Sequence, residues 1–165
     1  MSSKRLIGCI TVRDDIAVQS FGFHHYLPIG KPEIAAEYLN RWGVDEIVLL
    51  DINASLEGRS PNLKMVDKVA AKIFTPLTVG GGVSSLNDFQ TLLHAGADKV
   101  SVNTALIKSP YLLREAAECV GSQCVIASID ARQTNTGYRT RELTGFKGLS
   151  TENAARLAEE MGAGE

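Results

Sequence analysis

The sequence predicts an α/β fold, a parallel sheet assembled from repeated strand–helix units. Three observations carry this. Short apolar runs recur along the chain, and each is followed by apolar residues at helical spacing. The run from Glu46 to Ile52 is almost continuously apolar, the pattern of a strand buried on both faces. The connections between units are short, as right-handed parallel crossovers require.

The elements follow in order. Leu6 to Val12 is the first strand, and Asp14 to Lys31, with its Gly, Pro and His residues, reads as a long loop. Pro32 opens a helix that carries Ile34, Ala35, Tyr38, Leu39 and Trp42 and stops at Gly43. After the strand Glu46–Ile52 a helix runs through Leu63, Val66, Val69, Ala70 and Ile73. Next come strand Leu77–Val79, helix Leu86–Ala95, strand Val100–Val102 and helix Pro110–Val120. The strand Cys124–Ile129 and a helix from about Thr151 to Met161, capped by Gly162, complete the pattern. Residues 132–148 break the rhythm, and Tyr138, Thr140 and Leu143 suggest a small surface hairpin there.

Two architectures fit such units, a doubly wound open sheet and a (β/α)8 barrel. No G-x-G-x-x-G follows the first strand, which weakens the dinucleotide-binding form of the open sheet. A complete barrel takes about 250 residues, and this chain has 165. Gly162-Ala163-Gly164-Glu165 resembles the turns Gly43-Val44-Asp45-Glu46 and Gly96-Ala97-Asp98-Lys99, each of which enters a strand. The expectation is one partial TIM-barrel domain over residues 1–165, strand–helix units one to five, ending at the start of a sixth strand. The outer edges of its first and fifth strands would then be uncovered.

Composition excludes several functions. A net charge of −2 gives no basic field for nucleic acid. The short apolar run near the N-terminus falls far below the ~18 residues of a membrane span. Cys9, Cys119 and Cys124 lack metal-ligand spacing and read as buried, reduced thiols of a cytoplasmic protein. His24-His25 lies beside Phe21, Phe23 and Tyr26 in the first loop, as a lid or plain surface rather than a metal site. No metal and no cofactor is expected.

The chemistry gathers at strand ends. Thr78-Val79-Gly80-Gly81-Gly82 and Lys99-Val100-Ser101-Val102-Asn103-Thr104 each close a strand with small residues that expose backbone amides, and a helix follows each. Gly81, Gly82, Asn103 and Thr104 are candidates for gripping a phosphate, although a tight strand–loop turn would also demand such glycines. Asp51 and Asp130 each end a strand, where barrel active sites form. Asp130 is the stronger acid–base candidate, and Asp51 equally suits a carboxylate that accepts loop N–H groups. Ile10-Thr11-Val12-Arg13 echoes Ile129-Asp130-Ala131-Arg132, which sets Thr11 opposite Asp130 in a barrel of two similar halves. Arg5, Glu46, Lys99 and Glu165 stand at strand starts with alternating sign. Their spacing alone favours solvated charges over a ringed gate.

These residues resemble the cyclase subunit of imidazole glycerol phosphate synthase and its close paralogues. The matching stretches are Lys4-Arg5-Leu6-Ile7-Gly8-Cys9, Asp45 to Ile52, Thr78 to Gly82 and Ala97 to Thr104. Gly121-Ser122-Gln123, Ser128-Ile129-Asp130-Ala131 and Gly162 to Glu165 match as well. The resemblance implies a barrel that takes ammonia from a glutaminase subunit docked at its N-terminal mouth. Ammonia would cross the barrel and convert phosphoribulosyl formimino-AICAR phosphate, a bis-phosphate, to imidazole glycerol phosphate and AICAR phosphate, in histidine biosynthesis. Arg5, Glu46, Lys99 and Glu165 fall on the family's ammonia-gate positions. Gly82, Asn103 and Thr104 fall on one of its phosphate sites, and Asp51 and Thr78 are substrate-binding positions that support the acid–base residue Asp130. Asp130 falls on one of its two acids.

The chain departs from that pattern at two positions. Thr11 replaces the strand-one acid, and its hydroxyl is no carboxylate base near neutral pH. Gln19 stands where the family has a loop lysine. Tyr26 to Pro32 and Glu57 to Pro61 look more like a paralogous branch that delivers ammonia for acetamidino modification of surface-polysaccharide sugars. The readings are therefore a cyclase, an ammonia-channelling scaffold that is not itself a cyclase, and an inactive partial barrel that only binds phosphate or a partner.

Overall fold

A computed structural model describes residues 4–135, 137–140 and 148–165. Its main sheet has seven strands in the order β3-β2-β1-β4-β5-β6-β7. These are β1 (Ile7–Arg13), β2 (Ile16–Phe21), β3 (His25–Gly30), β4 (Glu46–Asp51), β5 (Leu77–Gly80), β6 (Lys99–Val102) and β7 (Val125–Ala127). The pairings β1·β4, β4·β5, β5·β6 and β6·β7 are parallel, and those of β2 with β1 and β3 are antiparallel.

The helices between the parallel strands are α1 (Pro32–Arg41), α2 (Ala54–Glu57), α3 (Leu63–Ala70), α4 (Leu86–His94), α5 (Thr104–Lys108) and α6 (Tyr111–Val120). A separate hairpin, β8 (Ala131–Thr134) with β9 (Gly137–Thr140), precedes α7 (Thr151–Glu160).

Strand periodicity decides which face the helices cover. Ile10, Val12, Ile47, Leu49, Leu77, Val79, Val100, Val102 and Val125 share one core with Ala36, Val66, Val69, Phe89, Leu92, Leu113 and Ala116 from the helices. The alternate residues Ile7, Cys9, Val48, Leu50 and Ile126 are exposed or half-buried. Parallel strands thus run in sequential order with one face packed on helices, the arrangement of a barrel wall, whereas a doubly wound sheet covers both faces. The described sheet is open, with β3 on one margin and β7 on the other.

The structure departs from the sequence pattern in several places. The strand at Glu46 is not sealed on both faces, because Val48 and Leu50 point away from the helices. The long first loop is largely the hairpin β2–β3, which covers the outer edge of β1. Its turns use left-handed residues, Asp14 and Asp15 at one end and Gly22 and Phe23 at the other. The edge of β7 meets the chain end, where Gly164 N–H donates to the Val125 carbonyl and Ala127 N–H to the Glu165 carbonyl. The cysteines are free but not buried, with Cys9 and Cys119 exposed and Cys124 half-buried. Cys9 lies on the strand face without helices, and Cys119 points outward from α6 toward Gln90. The hairpin at residues 131–140 is present, and Leu143 falls outside the described residues.

Candidate functional site

The strand-start face is organised by three similar turns. After α1, α4 and α7 the chain reverses at Gly43, Gly96 and Gly162, all with positive φ. Asp45 N–H then donates to the Leu6 carbonyl at 2.8 Å, Asp98 N–H to Leu77 at 2.8 Å and Gly164 N–H to Val125 at 2.9 Å. In the first two turns the aspartate side chain also accepts a neighbouring strand's N–H, from Leu6 at 2.6 Å and from Leu77 at 2.8 Å. The residue after each docking bond is Glu46, Lys99 or Glu165, so the three occupy equivalent positions after their turns.

Their side chains close a ring with Arg5. Arg5 Nη1 lies 3.1 Å from Glu46 Oε2, and Lys99 Nζ lies 3.1 Å from the same oxygen. Lys99 Nζ lies 3.0 Å from Glu165 Oε2, and Arg5 Nη2 lies 3.0 Å from Glu165 Oε1. Glu46, 4% exposed, also accepts a hydrogen bond from Thr78 Oγ1 at 2.7 Å. Burial works against both charges of the Lys99–Glu165 pair, but hydrogen bonds and opposite charges outweigh it. The Lys99 ammonium is therefore held above its usual range and the Glu165 carboxyl below its own. Solvated, independent charges are not what these positions carry.

At the strand-end face the glycine run lies against the loop after β4. Gly81 and Gly82 have φ of 102° and 73°. A Cβ on Gly81 would overlap the Asp51 carbonyl oxygen, and one on Gly82 would overlap that of Arg59. Close backbone approach thus requires both glycines before any ligand is considered. The loop is tied down by Asp88, which caps α4 by accepting from Ser84 and Ser85 at 2.9 Å through their N–H groups and also bonds Ser60. Burial raises the Asp88 carboxyl, yet these hydrogen bonds prevail and its pKa falls below the ordinary value.

Asp51 is 3% exposed and fully engaged. Its Oδ1 accepts N–H groups of Asn53 at 3.2 Å and Ala54 at 3.1 Å, and the Arg59 fork reaches its two oxygens at 2.6 and 3.3 Å. It serves as a loop-holding carboxylate, one of the two roles its position allowed. Thr104 opens α5, and its Oγ1 lies 3.3 Å from Ser55 Oγ, so the loops after β4 and β6 meet beside Gly82. Asn103 is half-buried just before α5. Thr78 and Ser101 lie deeper on the face without helices, Thr78 bonded to Glu46 and Ser101 Oγ 2.7 Å from Ser128 Oγ. Asp130 is exposed beyond β7. Thr11 Oγ1 donates to the Val18 carbonyl at 2.6 Å, so its hydroxyl is committed to the hairpin.

A family model described as "Histidine biosynthesis protein" matches residues 5–165. The chain belongs to that family. Relatives named "Imidazole glycerol phosphate synthase subunit HisF" align along all or most of its length. The one from Clostridium botulinum (strain Okra / Type B1) is 44% identical over 170 residues, covering 100% of this chain and 67% of the relative. The one from Bacillus cereus (strain AH187) is 44% identical over 169 residues, again 100% and 67%. A third, from Bacillus cereus (strain G9842), is 49% identical over 133 residues, covering 81% of this chain and 53% of the relative. The chain thus spans about two thirds of the length of the first two.

Arg59, Ser60 and Asp88 are not among the site residues that the sequence predicts. Asp88 was readable, since Ser85-x-x-Asp88 ahead of an apolar helix is a capping signal. Arg59 left no such trace, because its partner Asp51 lies across a loop whose path the spacing does not specify. No helix is long and apolar enough to cross a membrane among the described residues.

Proposed function

We propose that this chain is the ammonia-using cyclase part of an imidazole glycerol phosphate synthase, working in the cytoplasm beside a glutaminase subunit docked at the strand-start face. The closed ring of Arg5, Glu46, Lys99 and Glu165 carries this reading. Four charges joined in one circuit, balanced in sign, form a polar constriction where ammonia would enter. From there Thr78 and then Ser101 offer hydroxyls along the face without helices, toward the strand ends. Gly81, Gly82, Asn103 and Thr104 would hold one phosphate of the bis-phosphate substrate. Asp51 supports them from beneath. Asp130, exposed just beyond the fifth parallel strand, β7, would move the protons of ring closure. Thr11 supplies no second acid, so turnover rests on one carboxyl.

The test is an assay of the purified protein with the bis-phosphate substrate and ammonium chloride, with imidazole glycerol phosphate as the readout. Product is expected, and Asp130→Asn should lower its rate by about 10²–10⁴-fold. No product above background, or a rate that Asp130→Asn leaves unchanged, overturns the reading.

A further inference from the structure

We propose that Arg59 is a positioning residue for the anion-accepting glycine loop, acting through Asp51 below the loop and through its own backbone carbonyl against Gly82. The inference takes its ligand from the phosphate reading above, while its geometry stands independently of that reading.

Three contacts converge on this residue. Its guanidinium forks onto the Asp51 carboxylate at 2.6 and 3.3 Å, and its Nε reaches Glu57 Oε2 at 2.6 Å. Both partners hold the guanidinium charged, with its pKa pushed further up. Its carbonyl oxygen lies where a Gly82 Cβ would sit, and the Asp51 carbonyl occupies the same place beneath Gly81. The next residue, Ser60, bonds Asp88, the carboxylate that gathers Ser84 and Ser85 at the far end of the glycine run. The loop from Gly80 to Ser85 is thus anchored at both ends by the segment 51–60.

Asp51 cannot do this alone. It is nearly inaccessible, and Arg59 is the one cation paired with it among the described residues. A carboxylate left in that place without a counter-charge must draw in water or a proton. Either change moves the Asp51 backbone on which Gly81 rests. Because anion recognition by backbone amides depends on their aim, a shift near 1 Å is enough to weaken it. Arg59 therefore governs ligand grip without touching the ligand.

The experiment follows the backbone amides of Gly81, Gly82, Asn103 and Thr104 by NMR while inorganic phosphate is added. Arg59→Met is expected to weaken phosphate binding about tenfold and to abolish the response at Gly81 and Gly82. Arg59→Lys, which keeps charge but loses the fork, should recover part of that response. A general structural fault would disturb Asn103 and Thr104 equally, whereas the proposal has their shifts persist. If the unaltered protein shows no phosphate response at any of the four amides, the phosphate reading fails. The role of Arg59 is then read from ligand-free amide exchange, where Arg59→Met should speed Gly81 and Gly82 by about tenfold over Asn103. Unchanged Gly81 and Gly82 behaviour in a folded Arg59→Met protein, with or without phosphate, overturns the proposal.

Discussion

Arg5 and Glu165 lie 160 positions apart in sequence, yet Arg5 Nη2 stands 3.0 Å from Glu165 Oε1. The bond spans the arc of parallel strands at its start and completes the circuit through Glu46 and Lys99. Ion pairs between exposed side chains contribute little, and Arg5 is half exposed. The circuit differs because its hub, Glu46, is buried and accepts from three partners.

Replacing that hub should therefore cost more than replacing the rim. Glu46→Gln keeps the shape but leaves Lys99 and Arg5 without their shared carboxylate. A loss of about 2–4 kcal/mol is expected, below the full range for a broken buried pair because Arg5 can turn to solvent. Arg5→Gln should cost under about 1 kcal/mol. Urea unfolding of the two variants measures the difference, and equal losses would contradict the hub role.

The ring and the glycine-loop cap both predict loss of stability in acid. Glu165 and Asp88 have folded pKa values below their ordinary ones, so each contributes stability above its unfolded pKa that is lost as pH falls through the folded value. Lys99 is the opposite case, its folded pKa raised, so its contribution is present at neutral pH and is lost as pH climbs through the folded value. Denaturant midpoints taken from neutral pH down into the carboxylate range should fall, and Asp88→Asn should flatten that fall. A slope identical to that of the unaltered protein would contradict the assignment to Asp88.

Two glycines with similar φ should respond differently to alanine. Gly82, at 73°, faces the Arg59 carbonyl, while Gly43, at 76°, has nothing within 4 Å of its would-be Cβ. Gly43→Ala should cost only the left-handed penalty of about 1–2 kcal/mol. Gly82→Ala adds a backbone collision and should exceed it by a further ~2 kcal/mol. Thermal unfolding of both variants gives the comparison, and equal shifts would contradict the close approach seen at Gly82.

Much of this architecture was legible in the chain itself. The alternation of apolar strands with helices such as Leu63–Ala70 and Leu86–His94 is a local pattern, and local patterns read directly. The turns at Gly43, Gly96 and Gly162 repeat a recognisable motif, which places the strand starts to within one residue. The β2–β3 hairpin is hidden because Phe23 fills a left-handed turn position that such residues rarely adopt, and Pro28 interrupts the strand pattern. The ring was foreseen only through family resemblance. Spacing cannot report that Arg5 and Glu165 meet, since that depends on the curvature of the whole sheet. The double role of Asp51 was open for the same reason, and the partner that decides it, Arg59, comes from a loop with no periodic signal.

Entry of ammonia through the ring makes glutamine-fed turnover depend on Lys99. The most direct measurement is the ratio of glutamine-fed to ammonium-fed turnover by the complex with glutaminase, compared between the unaltered protein and Lys99→Met. With ammonia entering through the ring, this ratio falls about tenfold while ammonium-fed turnover holds. An unchanged ratio, or an equal loss of both activities, would contradict it.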